Sequence, residues 1–157
     1  MPHWIHRENS PIKLPAVFRS SSAEETFGIG KNLATLLHSG SIVALRGSLG
    51  AGKTCLVKGI ASALGVTEEV TSATYTIVCE YDASSCPLYH IDAYRLQTPE
   101  DFSAIGGEDI IFGSGISLIE WSDRIEGFIP AEAIQVTIEI VDGNTRCIRI
   151  EQIDQKE

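Results

Sequence analysis

At 157 residues, with 43% hydrophobic and 21% charged composition, the chain suits one domain with one core and excludes wholesale disorder. Its 21 acidic residues outnumber 12 basic ones, for a formal net charge of -9. That balance argues against a stand-alone RNA or DNA reader, which would carry a basic face to neutralise phosphates. The four cysteines, Cys55, Cys79, Cys86 and Cys147, form no C-x-x-C pair and no Cys/His cluster with zinc spacing. With no apolar signal-like stretch in Met1 to Pro15 and no run of about 18 apolar residues, the expectation is a cytoplasmic protein with reduced thiols.

Residues 1 to 15 hold Pro2, Pro11 and Pro15 without periodicity and read as a flexible N-terminal extension, with the domain spanning 16 to 157. Ser22 and Glu25 form a capping box for a first helix whose apolar face is Phe27, Leu33, Ala34 and Leu37, with Gly40 past its end. Ser41 to Arg46 is a short strand of β-formers. A second helix runs from about Gly52 to Leu64, stopped by Gly65. Thr71 to Thr74 is a polar loop, and Tyr75 to Tyr81 and Leu88 to Ala93 read as strands. Thr98 and Pro99 open a short helix. Ile116 to Trp121 is an apolar strand that contains a carboxylate. Ala133 to Val141 and Arg146 to Gln152 flank Asp142-Gly143-Asn144 as a terminal hairpin. The sum is an α/β fold, a single P-loop NTPase domain with a mixed, partly parallel sheet flanked by helices and a C-terminal β-hairpin.

The chemistry is concentrated in Gly47-Ser48-Leu49-Gly50-Ala51-Gly52-Lys53-Thr54, which satisfies G-x-x-x-x-G-K-[ST]. Glycines leave the backbone bare so that consecutive N–H groups can converge on phosphate oxygens, and the following helix adds its positive dipole end. ATP with magnesium is the expected ligand. Leu49, Gly50, Ala51, Gly52, Lys53, Thr54 and Cys55 form its cradle, with Lys53 on the β and γ phosphates and the Thr54 hydroxyl on the metal. A P-loop also needs a carboxylate at the end of a neighbouring strand. Glu120 and Asp92 are the candidates, and Thr74 lies in a loop able to close over the γ-phosphate. Cys55, just inside the helix, stands where the dipole would lower a thiol pKa. His90, on a strand, reads as a core or near-surface histidine rather than a base.

GSLGAGKT, TSATYTIVCEY, LYHIDAYRL and LIEWSDR occur in that order, and together they resemble the TsaE family of bacterial P-loop ATPases over roughly residues 18 to 150. The resemblance implies service in threonylcarbamoyladenosine modification of tRNA, with TsaB and TsaD as partners and tRNA met only through the complex. It implies that Thr54, Asp92 and Glu120 surround magnesium, that Thr74 lies in a switch-like loop, and that Trp121 neighbours the nucleotide. Lys53, Thr74, Asp92 and Glu120 are then the catalytic set. Ser48, Cys55 and Ala73 depart from the family's usual acidic residue, hydroxyl residue and proline. Arg95 and Arg124 match the resemblance and could touch phosphate or make structural ion pairs.

Three other readings compete. A small-molecule kinase needs an acceptor pocket and a basic lid, yet no Lys or Arg occurs between Lys58 and Arg95. A GTPase should carry N-K-x-D, which none of Asn9, Asn32 and Asn144 begins. A nucleotide-sensing module without turnover shares the same site and differs only in product formation.

Overall fold

The apolar runs pair into a seven-stranded sheet in a computed structural model that describes residues 12–48 and 50–153. In chain order the elements are β1 (Ala16–Ser20), α1 (Ala23–Leu33), β2 (Ile42–Gly47), α2 (Lys53–Ala63), β3 (Val78–Asp82) and β4 (Pro87–Asp92). Then come α3 (Pro99–Ala104), α4 (Gly107–Ile111), β5 (Ile116–Glu120), β6 (Ile134–Ile140) and β7 (Arg146–Gln152). Short 3-10 helices, Ala34–Leu36 and Ser122–Phe128, follow α1 and β5.

The strand order is β1-β7-β6-β2-β5-β4-β3. β4, β5, β2 and β6 run parallel, while β3, β7 and β1 attach antiparallel at the flanks. The central strand β5 (Ile-Ser-Leu-Ile-Glu) is buried along its whole length, because helices cover both faces there. β6, nearer the edge, alternates buried Ile134, Val136 and Ile138 with more exposed neighbours. One face of the sheet packs Val43, Leu45, Leu118 and Val136 against Leu33 of α1 and Leu56 and Ile60 of α2. The other packs Ile91 and Ile119 against Phe102 of α3 and Ile111 of α4.

Ser22 caps α1 as its sequence suggests, its hydroxyl accepting from Glu25 N at 3.1 Å, while the Glu25 carboxylate accepts from Ser21 N at 2.5 Å. The buried stripe of α1 is Thr26, Gly30 and Leu33, with Phe27 only half-buried. Gly30 belongs to that stripe because α1 and α2 cross backbone to backbone. A methyl group on Gly59 would overlap the Phe27 carbonyl oxygen, and one on Gly30 would overlap the Leu56 carbonyl oxygen.

Four features differ from the sequence expectation or add to it. β1 was not foreseen; it lies antiparallel to β7 with Phe18 opposite Ile148. Residues 1–11 of the expected extension lie outside the described residues, and of its remainder Ile12 is 4% exposed within the core. β3 begins at Val78 rather than Tyr75. Residues 75–77 instead form a turn in which Ile77 N donates to Ala73 O at 2.6 Å, and Ile77 takes a φ of +67°. The β-forming character of Tyr-Thr-Ile loses there to the need to carry Thr74 over the end of the sheet. α4 also appears, set off from α3 by Gly106.

Gly59→Ala tests the helix crossing. Alanine favours a helix interior by about 1 kcal/mol, but the clash should outweigh that and destabilise the protein by about 1–3 kcal/mol in urea unfolding. A more stable variant would reject the close approach.

Candidate nucleotide site

β2 delivers the chain to Gly47, and the loop turns into α2 through Gly52, whose φ of +111° suits only glycine without strain. Gly52 is also the N-cap and carries no capping side chain, so the first N–H groups of α2 keep no side-chain acceptor. Leu49 lies outside the described residues. From outside the loop, Arg146 of β7 donates through Nε to Ala51 O at 3.1 Å and through Nη2 to Gly50 O at 3.4 Å. Its Nη1 donates to Asp142 O at 3.0 Å and Gly143 O at 3.2 Å, which ties the hairpin turn to the loop. Sequence reasoning missed Arg146, because nothing local distinguishes it from any arginine after a turn.

Lys53 is only 5% exposed and folds back along the loop, donating from Nζ to Gly47 O at 2.6 Å and Ser48 O at 2.9 Å. The same ammonium lies 4.1 Å from the centroid of the Trp121 ring, a cation–π contact. Burial pushes its pKa down from the ordinary value, and the charges of Glu120, Asp92 and Asp123 pull against that.

Asp92 and Glu120 are register partners at the ends of neighbouring parallel strands. Both stand on the α2 face, two residues after His90 and Leu118 respectively, and both are 3% exposed. The Thr54 hydroxyl donates to the Glu120 carboxylate, 3.0 and 3.2 Å from its two oxygens. Glu120 Oε2 also lies 2.6 Å from Nε2 of His90, which is fully buried. Asp92 accepts from the Thr74 hydroxyl at 3.0 Å through Oδ2 and from Tyr94 N at 2.9 Å through Oδ1. Thr74 is held in turn by Ser72, whose Oγ is 2.7 Å from its hydroxyl and accepts from its backbone N at 3.2 Å. Ala73, between them, is fully buried, so packing anchors the position where the family's usual proline is missing.

Lys53, Thr54, Thr74, Asp92, Glu120 and Trp121 are therefore brought together, with Gly50, Ala51 and Gly52 beside them. Trp121 takes a left-handed φ of +57°, which turns the chain out of β5 and lets its ring reach Lys53. The ring also packs on Tyr94, with centroids 4.9 Å apart. Arg124 lies over Tyr94 at 5.2 Å and Arg95 over Tyr75 at 5.4 Å, so both stack on aromatic rings at the rim. The lowered thiol pKa expected for Cys55 is corrected: burial raises it, outweighing the nearby Lys58 charge. Its Sγ sits 3.1 Å from Ala23 O, turned toward α1.

The oxygen donors suit magnesium. A hydroxyl and two carboxylates are few and hard, the kind of partial set that leaves positions for phosphate and water. Among the described residues no group of three or more His, Cys, Asp or Glu side chains is placed to hold a metal ion by itself, so nothing among them resembles a transition-metal cage. No helix among them is long and apolar enough to cross a membrane.

A glycine-rich loop between a central parallel strand and a helix, beside a buried carboxylate on the next strand, defines a P-loop nucleotide-binding protein of the α/β class. Within that class the chain belongs to the TsaE family, "Threonylcarbamoyl adenosine biosynthesis protein TsaE", whose match spans residues 20–148. It is 42% identical over 126 residues to the tRNA threonylcarbamoyladenosine biosynthesis protein TsaE of Treponema pallidum, covering 80% of this chain and 93% of that one. It is 41% identical over 132 residues to the TsaE of Aquifex aeolicus, covering 82% and 90%. The crystal structure of Bacillus subtilis YdiB has the same fold, with a TM-score of 0.75 at 34% identity over 91% of this chain and 89% of that one.

The Lys53–Trp121 contact makes the ring a reporter. Phosphate that draws the ammonium off the ring should change tryptophan fluorescence when ATP is added, and Trp121→Phe should lose the change. A full signal in that variant would have to come from Trp4 and would separate Trp121 from the nucleotide.

Proposed function

We propose that the chain binds ATP with magnesium and hydrolyses it slowly, as the accessory ATPase of tRNA threonylcarbamoyladenosine modification in the cytoplasm. Its nucleotide cycle supports a partner transferase. The observation that carries this reading is the meeting of Thr54 and Glu120 beside Lys53, with Asp92 at the same level of the sheet. Lys53 and the open N–H groups of the loop and α2 hold the β and γ phosphates. Thr54, Asp92 and Glu120 hold magnesium, which supplies charge neutralisation to the transferring phosphoryl group. Trp121 covers Lys53 on one side, and Thr74 places its loop beside Asp92.

Family membership supports the pathway, and through the family's resemblance TsaB and TsaD are the partners, with tRNA met through them. The chain's own charge fits this division, because -9 disfavours direct tRNA binding. A kinase reading finds little support. A cavity of about 380 Å³ lies beside Ser41, Ile42 and Ile134, at the opposite end of the parallel strands from the loop.

The arrangement of the site supports slow turnover. Phosphoryl transfer rests on positioning and charge stabilisation, and both nearby arginines are stacked on tyrosines at the rim. A surface that packs on the Thr71–Thr74 loop would complete the site. Phosphate release should be weak for the isolated chain and rise at least about tenfold with the TsaB–TsaD pair, a modest part of the roughly 10³- to 10⁵-fold that completing such a site can give. Lys53→Ala should abolish it in both cases. Fast hydrolysis unaffected by the pair would reject the accessory role. Glu120→Ala should keep measurable ATP affinity by calorimetry while losing most hydrolysis; full turnover would move that role elsewhere.

A further inference from the structure

We propose that His90 is a positioning residue, whose Nε2–H holds Oε2 of the Glu120 carboxylate and so fixes the plane in which that carboxylate faces Thr54. The proposal rests on the reading above, in which Glu120 serves magnesium and ATP.

Three observations carry it. His90 is fully buried on the α2 face of β4, so its ring cannot turn to water. Its Nε2 is 2.6 Å from Glu120 Oε2, a distance typical of a hydrogen bond to a charged acceptor. Its Nδ1 has no hydrogen-bond partner. A carboxylate accepts only, so Nε2 is the donor, and Nδ1 is left as a bare lone pair rather than a stranded N–H. Packing alone would be served better by leucine, which fills similar space and strands no polar atom. The ring's position opposite Leu118 on β5 and Cys79 on β3 offers no other reason for a nitrogen.

The physical effect is on the freedom of Glu120. Thr54 reaches both carboxylate oxygens at similar distances and cannot by itself choose one orientation. His90 engages Oε2 alone and sets the plane. This is the outer-shell role that partners of metal-ordering carboxylates play.

The test compares His90→Leu, His90→Gln and His90→Asn in the full chain. The Gln amide N–H can reach Glu120 from roughly the place of Nε2, and the Asn amide is too short. His90→Leu should lower kcat about 10- to 100-fold and raise the magnesium concentration at half-maximal activity. Affinity for ATP without magnesium, read by calorimetry, should be unchanged. His90→Gln should restore most of the loss and His90→Asn should not. Independently of activity, 15N spectra of the histidine-labelled protein should show the His90 ring protonated at Nε2 and protected from exchange. Turnover and magnesium dependence equal to wild type in a folded His90→Leu variant would overturn the proposal, as would a ring protonated only at Nδ1. If the wild type itself fails to turn over magnesium–ATP, the functional reading falls, and the ring's protonation still decides the His90–Glu120 bond.

Discussion

The chemistry of this protein depends on three parallel strands that end at one level. Asp92 of β4 pairs with Glu120 of β5, and Glu120 pairs with Leu45 of β2, two residues before Gly47. Side chains alternate along a strand, so a slip of one residue in β5 would send Glu120 to the α3 face and Ile119 toward the loop. Burial prevents that slip. Leu118 belongs to the core under α2 and Ile119 to the core under α3, and exchanging them would bury a carboxylate among Phe102 and Ile111. The hydrophobic pattern of one five-residue strand thereby fixes the carboxylate within hydrogen-bond distance of Thr54.

A second constraint acts on the loop. Lys53 gathers the Gly47 and Ser48 carbonyls from inside, and Arg146 gathers those of Gly50 and Ala51 from outside. With those carbonyls held by cations, and the Ala51 N–H already donating to Ser48 O at 3.1 Å, the first N–H groups of α2 are the donors left toward an anion. A loop already shaped this way spends little ordering entropy on binding. The terminal hairpin, far from the loop in sequence, is thus part of the cradle.

Much of this was legible in the residues. The P-loop, the carboxylate ending an apolar strand, the caps of α1 and α3 and the terminal hairpin are all local patterns, and local patterns can be read. The Arg146 and His90 contacts were not legible, because each joins elements distant in sequence and depends on strand register. Tyr75 to Ile77 misled for a related reason: β-forming residues there obey the loop that holds Thr74 on Asp92. Cys55 misled because helix position suggested a dipole effect, while burial against α1 set the sign. The strand β1 was hidden by its shortness and by its edge position.

Under the proposed reading, the charges of the site bear on how nucleotide and metal would arrive. Asp92, Glu120 and Asp123 all act on a single ammonium, in a chain that is acidic throughout. Triphosphate alone would meet one buried lysine against three carboxylates, and at a separation of about 4 Å each unscreened like-charge pair costs about 4 kcal/mol at an effective dielectric of 20. A divalent cation between phosphate and carboxylates would reverse that sign, so under the proposed reading the magnesium complex of the nucleotide binds more tightly than the nucleotide alone. The same field repels RNA. A net charge of -9 is poorly matched to RNA, which agrees with the proposal that tRNA is met through a partner.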